Sequence, residues 1–440
     1  MVEANSDSRS SLVNLTKTII GAGLLSMPYA FSSDGMIFGT IITLIAAFTS
    51  GFGLYLQGYV SRYVPIGHAT FFNVCSITYP SLSVVFDIAI AIQCFGCAVS
   101  YLVLIGDLMP TIVDVNPFWD TSRETFWIIL SAVLCVPLSF LKNLSSLKYS
   151  SILGILAILY MSALVVCHAL ALDVPSSSRG DVTLFPKSLS NSFSTFSILV
   201  FAYTGHQNMF SIINEEQDKS LGHIKSLIYS AVSISSVLFL SVGISGYYTF
   251  GDKVGGNIIL QYQNSWSTTL GRFSIVLMVI FSFPLMIHPA RISVNNVYFW
   301  IRTRIADSRE SEHETSNDET SALLSNDISS QRSVPIQISA NIVPLSDTTF
   351  KALTTGLLIV GYYLAMSIKS FAFILALVGA TGSTSISFIL PGLFGYKLIG
   401  SDVGVLSDRE RILRYASLLL SVWGLCVMVI CLYTTMTSTV

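Results

Sequence analysis

Two stretches of this chain set glycine and polar side chains into sequence that is otherwise apolar. The first runs Asn14-Leu15-Thr16-Lys17-Thr18-Ile19-Ile20-Gly21-Ala22-Gly23-Leu24-Leu25-Ser26-Met27-Pro28. Two glycines around an alanine weaken a helix, and Pro28 removes a backbone donor one turn later. The second runs Phe201-Ala202-Tyr203-Thr204-Gly205-His206-Gln207-Asn208, with Gly205 between polar side chains. A helix broken at such a point leaves unpaired N–H groups at one half-helix end and unpaired C=O groups at the other. The N–H end suits a carboxylate, and the carbonyl end suits an ammonium group or a cation. An amino acid carries both charges a short distance apart. The competing reading is close helix packing, since small residues let backbones approach. For either stretch alone the two readings weigh equally. A matching pair of glycine-interrupted spans, one in each half of a chain, points to the binding site of a secondary transporter.

Several titratable residues lie in the same apolar sequence. Lys17 and Asp87 each sit about seven residues into a span that starts on the same side, so at about 1.5 Å per residue they reach similar depth. That predicts an ion pair, which lowers the cost of either charge in lipid. The pair has two open roles, structural or proton-coupling. Asp107, nearer the far end of the same span as Asp87, is a second proton candidate. His206 and His288 titrate in the useful range when unperturbed; His206 is kept as a proton candidate, although a lone membrane histidine reads first as a hydrogen-bonded core residue. Glu215 and Glu216 are gate charges or a solvated face. Cys94-Phe95-Gly96-Cys97 spells CxxC without a second pair, which reads as core packing rather than metal or redox chemistry. No nucleophile–base arrangement or metal-spaced cluster stands out, so neither an enzyme nor a cofactor is expected.

The elements that must position these residues follow from composition. Hydrophobic residues make up 52% of the 440 and charged residues 11%, against about 25% charged in soluble domains. So few charges cannot build a water-facing surface, and the bilayer is the expected solvent. The net charge of -2 argues against a nucleic-acid partner. A helix needs about 20 apolar residues to cross a bilayer. Segments of that kind fall at 10–31, 36–59, 81–112, 124–140, 150–172, 189–213, 224–250, 267–289, 350–367, 371–398 and 412–434. The expected fold is therefore an all-α polytopic membrane protein of about eleven transmembrane helices. Helices 1 and 6 are broken, and they start the two halves of a five-plus-five inverted repeat with one extra C-terminal helix. The organisation reads as a cytosolic tail (1–9), helices 1–8 (10–301), a disordered cytosolic loop (302–347) and helices 9–11 (348–440). Lys and Arg near the helix ends favour one side by about two to one. This places the N-terminus in the cytosol and the C-terminus outside or in a lumen.

The loop is rich in Ser, Glu, Asp and Asn and nearly free of aromatics, so it cannot bury enough apolar surface to fold alone. Within it lies Glu319-Thr320-Ser321-Ala322-Leu323-Leu324. An acidic residue four positions before Leu-Leu resembles the acidic dileucine signal read by clathrin-type adaptors; a solvated loop without a signal is the equal alternative.

Taken together, these motifs resemble the amino acid/auxin permease family, and most closely its fungal vacuolar amino acid transporters. The likeness runs through Asn14–Phe31, Val85-Phe86-Asp87, Ser100-Tyr101 to Gly106-Asp107, Phe201–Phe210, Asn214-Glu215-Glu216 and Pro284 to Arg291. It covers essentially everything but the loop. The resemblance implies ten helices in the inverted-repeat fold plus an eleventh, and proton-linked movement of amino acids out of the vacuole. It implies substrate contacts at Thr18, Ile20, Gly21, Ala22, Gly23 and Leu24, largely through backbone, and at Phe201, Tyr203 and Thr204. Tyr101 and Gly379-Ala380-Thr381 would complete the pocket wall. Sodium-coupled relatives usually carry Asn just before the Thr of the first span, where this chain has Lys17. A fixed positive charge there opposes sodium by Coulomb repulsion and favours proton coupling. No strong acid or Arg marks the pocket spans, which favours neutral amino acids. The alternatives are a sodium-coupled or exchange mechanism, or a sensor signalling through the loop.

Overall fold

A computed structural model describes residues 8–115, 122–141, 150–171, 174–317, 345–402 and 406–437, and among them there is helix but no strand. Eight helical stretches are long and apolar enough to cross a membrane. They are built on α3 (Met36–Val60), α5 (Ser83–Ile112), α7 (Ser150–Ala171), α10 (Leu221–Phe250), α11 (Trp266–Asn317), α12 (Asp347–Ser367), the segment 371–398 and α15 (Asp408–Thr437). The other three expected segments depart from a plain long helix. The fourth is α6 (Arg123–Ser139), of 17 residues. The first is split into α1 (Ser8–Ile19) and α2 (Met27–Asp34), joined by a 3-10 turn at Ala22–Ser26. The sixth is split into α8 (Leu189–Ala202) and α9 (His206–Glu215), with Tyr203, Thr204 and Gly205 outside any helix. A short helix, α4 (Phe71–Thr78), lies between α3 and α5.

Two elements differ from the sequence expectation. The helix α11 runs on to Asn317, so 302–317 is helical where a disordered loop was expected. Arg, Glu and Ala in that stretch favour helix, and extending a formed helix needs no new nucleus. Residues 318–344, with Glu319, Leu323 and Leu324, lie outside the described residues. The tenth segment is also less regular than its apolar run suggested. Between α13 (Phe371–Val378) and α14 (Leu390–Leu398) it is wound as two π turns, Gly379–Ser383 and Ser385–Ile389. The hydroxyl of Thr384 reaches five residues back to the carbonyl of Gly379 at 2.7 Å. Such turns are frequent at functional sites.

The breaks are held by their neighbours. From α3, the Ser50 hydroxyl donates to the carbonyl of Tyr203 at 2.7 Å and the Gln57 amide donates to the carbonyl of His206 at 3.3 Å. Unpaired carbonyls inside a membrane are costly, so α3 is what makes the second break tolerable. Close approach needs small residues. A side chain at Gly53 would run into the carbonyl of Ser387 and come within 2.8 Å of the His206 ring, and one at Gly246 would meet Pro28 at 2.5 Å.

On the face opposite the N-terminus, the connection from α10 to α11 folds over the bundle. Ile258 and Ile259 within it are wholly buried. The Ser26 hydroxyl donates to the carbonyl of Gly256. The buried Arg272 of α11 donates to the carbonyls of Tyr262 at 2.7 Å and Ile259 at 3.2 Å, and to the side chain of Asn264. This cation within the eighth expected segment, 267–289, is thus the anchor of a lid.

Candidate functional site

In the first break the backbone ladder closes with Ile20 N–H to the carbonyl of Thr16 and resumes with Leu24 N–H to the carbonyl of Gly21. The amides of Gly21, Ala22 and Gly23 fall in the gap between. In the second, Thr204 N–H closes on Phe201 and the ladder resumes with Asn208 N–H to Gly205. The two breaks lie against each other. A side chain at Gly23 would come within 2.9 Å of Ala202, and one at Gly205 within 2.8 Å of Ile19. Across the contact Asn208 donates to the Thr18 hydroxyl at 3.2 Å, and that hydroxyl donates to the carbonyl of Asn14 at 2.8 Å.

Beside them is a cavity of about 550 Å³, within the usual range of about 300–1,000 Å³ for small-molecule sites. Thr18, Gly21, Ala22, Gly23, Phe201 and Thr204 line it, with Tyr101 from α5. Its remaining walls come from α5, α7 and α11, including Gln93, Ile158, Ser282 and Pro289. The lining continues past Asn14, Lys17 and Ser211 to Glu215, toward the end of α1 that bears the N-terminus. The cavity thus extends from the breaks toward the N-terminal face, while the lid covers the other.

Other expected site residues lie elsewhere. Ile20, Leu24 and Tyr203 are buried behind the breaks and are not in the cavity wall. Tyr203 donates to Ser236 at 3.0 Å and meets the Phe239 ring edge-on. Gly379, Ala380 and Thr381 are also outside the wall; Gly379 backs it, pressed against the Ser197 carbonyl and 3.2 Å from Phe201 at an added side chain. His206 is fully buried, with Nδ1 at 3.0 Å from the Ser387 hydroxyl, and is also not in the wall. Asp107 lies at the far end of α5, close to the start of α6. Among the residues sequence reasoning passed over are Gln93, Gln207, Asn208 and Ser282. Gln93 had a signal, being a lone amide in the middle of a 30-residue apolar helix.

The expected ion pair is not formed. Lys17 donates to the Ser151 hydroxyl of α7 at 3.4 Å, whereas Asp87 accepts from Asn296 of α11 at 3.1 Å. The two side chains bond to different helices, Lys17 to α7 and Asp87 to α11. Lys17→Met and Asp87→Asn should therefore act independently. Their effects on thermal stability in detergent should add to within about 0.5 kcal/mol. A double variant more stable than the sum of the single losses would restore the pair.

The family model described as transmembrane amino acid transporter protein matches residues 4–437. The chain belongs to the transmembrane amino acid transporter family. It is 40% identical to vacuolar amino acid transporter 7 of Saccharomyces cerevisiae, across 99% of this chain and 98% of the relative. It is 40% identical to vacuolar amino acid transporter 6 of the same yeast, across 96% and 97%. Human sodium-coupled neutral amino acid transporter 7 is 26% identical across 64% and 63%. Among solved structures the fold matches that of MhsT, crystallised with L-phenylalanine, at a TM-score of 0.57, with 11% identity over 96% of this chain and 99% of that one. Family and relatives are transporters, not enzymes.

Proposed function

We propose that this family member carries neutral amino acids from the vacuole lumen to the cytosol in a proton-linked cycle, and that the cavity between the two broken helices holds the substrate. The observation that carries this is the junction of the breaks, which offers free amides at Gly21–Gly23 beside a cavity of about 550 Å³. The substrate carboxylate takes those amides, and its ammonium group takes carbonyls at the end of α1. Thr18, Tyr101, Phe201 and Thr204 line the space for the side chain. Lys17 puts a fixed positive charge in the same cavity, which disfavours a sodium ion there. Among the described residues no acid lines the cavity at the breaks, and Glu215 lies at the end of α9, away from them, which fits a neutral side chain.

The architecture supports eleven spans in an inverted repeat, 10–172 against 189–398, with 412–434 outside it. The breaks open each half. With the N-terminus cytosolic, the cavity faces the cytosol and the C-terminus is lumenal. Vacuolar placement follows from the yeast relatives. Glu319, Leu323 and Leu324 are proposed as its adaptor-read signal, so Leu323→Ala with Leu324→Ala should move the protein off the vacuolar membrane and leave transport per molecule unchanged. Unaltered localisation of a fluorescent fusion discards that signal.

The functional test is uptake of a labelled amino acid panel by the purified protein in liposomes under an imposed pH gradient. Neutral amino acids should accumulate on the alkaline side, and a proton ionophore should abolish accumulation. Accumulation that needs sodium and ignores pH replaces this mechanism with the sodium-coupled one named in the human relative.

A further inference from the structure

Asp34 is the last residue of α2, at the lumenal end of the first broken span, and its side chain is wholly buried. A carboxylate is poorly placed there. The C-terminal end of a helix carries the negative end of the dipole, and a buried charge without a partner is costly. Its neighbours do not supply a cation. Among the described residues no cation pairs with it. Neither α3 nor α8, which pack against α2, contains an Asp, Glu, Lys, Arg or His. On α10, which also packs there, His223 and Lys225 stand at the opposite end of the helix, and the Tyr247 hydroxyl accepts from the Thr183 amide. Of the charges on the adjoining lumenal loops, Lys187 pairs with Asp252 at 3.1 Å, the amide of Asp181 donates to Asp252, and Lys253 donates to the carbonyl of Ser177.

What faces Asp34 is a pair of hydroxyls of α8, the lumenal half of the other broken span, those of Ser192 and Thr195. The Thr195 Oγ1 is 3.4 and 3.5 Å from the two carboxyl oxygens. The same hydroxyl lies nearer to two helix carbonyls, Asn191 at 3.1 Å and Ser192 at 3.2 Å. A hydroxyl has one hydrogen and two lone pairs. Its one hydrogen is shared among these carbonyls and the carboxyl, so the hydroxyls give a buried charge only weak and divided compensation. A carboxyl that keeps its proton needs no such compensation and can itself donate to a hydroxyl lone pair.

We propose that Asp34 is a proton-binding site read from the lumen. Its carboxyl holds a proton while the two lumenal half-helices are closed on it, and gives that proton back to the lumen when they part. Asp34 is wholly buried and is not in the wall of the cytosolic cavity in the arrangement seen here, so this proton goes on and off on one side. It licenses closure and is not the one carried across. The inference rests on the reading above that this face is lumenal, and it makes an acidic lumen the condition for closing.

The test is exchange of labelled amino acid across liposomes holding the full chain, with the cytosolic side at fixed neutral pH and the lumenal side stepped from acid to neutral. Wild-type exchange should fall about tenfold for each pH unit above its midpoint, the slope of a single proton. Asp34→Asn supplies a permanent donor and should make exchange flat across the same range. A wild-type profile that is flat, or an Asp34→Asn variant that keeps the wild-type slope, overturns the proposal. Thr195→Val and Thr195→Ser guard against an Asp34 variant that does not fold. The valine variant should move the midpoint and the serine variant should keep it, and a midpoint unmoved by valine also overturns the proposal. If a pH gradient fails to drive accumulation while the lumenal profile and its loss in Asp34→Asn persist, proton-driven transport fails and this site stands.

Discussion

Replacing Gly21 by valine is expected to abolish amino acid transport while leaving the protein folded in the membrane. A first carbon added at Gly21 meets nothing closer than 4.0 Å, where it reaches the carbonyl of Thr18 and the Tyr101 hydroxyl. The fold therefore has room for a side chain, and that room is the cavity itself. Two further methyl groups on a stiff β-branched side chain would stand where the substrate carboxylate meets the amides of the first break. Losing one hydrogen bond to a charged group costs about 1.5–3 kcal/mol, or about ten- to a hundredfold in affinity, and valine obstructs several. Alanine at the same place should lose far less. Gly23 makes the contrast, because its added carbon would lie 2.9 Å from the Ala202 side chain and 3.0 Å from its backbone. Gly23→Val should lower the yield of folded protein, since the two helix backbones must move apart. The measurements are uptake per folded molecule in liposomes and monodispersity in detergent. Wild-type uptake by Gly21→Val would remove this glycine from the substrate site.

That contrast also marks what the sequence could convey. Glycine and proline weigh on the helix directly, so both breaks were legible at Gly21–Gly23 and Gly205 from residue type alone. Which glycine faces the cavity and which faces a neighbouring backbone depends on the second helix, and no local pattern encodes it. The same limit explains Lys17 and Asp87: counting gives position along a helix but not direction around it, and the two side chains bond to different neighbours. The π turns of 379–389 escaped notice because an i→i−5 ladder uses the same small and apolar residues as an α-helix. Asp34 was passed over for another reason. It stands at the end of a span, where an acidic residue normally meets water, and only the loops at that end and α8 folding over it make it buried.

Arg272 offers the second large effect, since its guanidinium is the fastening of the lid. It is almost wholly buried and reaches the carbonyls of Ile259 and Tyr262 and the side chain of Asn264. Arg272→Met fills a similar volume but leaves these buried acceptors without donors. Each unsatisfied group costs about 1–3 kcal/mol, and the lid can recover that cost only by lifting into water. Lifting also strains the Ser26 bond to Gly256, which ties the lid to the half-helix that carries Asp34. The closed lumenal side would then lose population by at least about tenfold, the equivalent of 1.4 kcal/mol. Transport should fall accordingly, with thermal stability reduced as well. Arg272→Lys should rescue little, because one ammonium point charge does not span the separate acceptors that a planar fork of donors reaches. A thiol reagent added from the lumenal side gives the direct measurement. With a cysteine placed at Ser26 in a background free of the native cysteines, labelling should be slow when Arg272 is present and fast when it is methionine. Equal labelling in both, together with unimpaired uptake by Arg272→Met, would mean that the lid closes without its anchor.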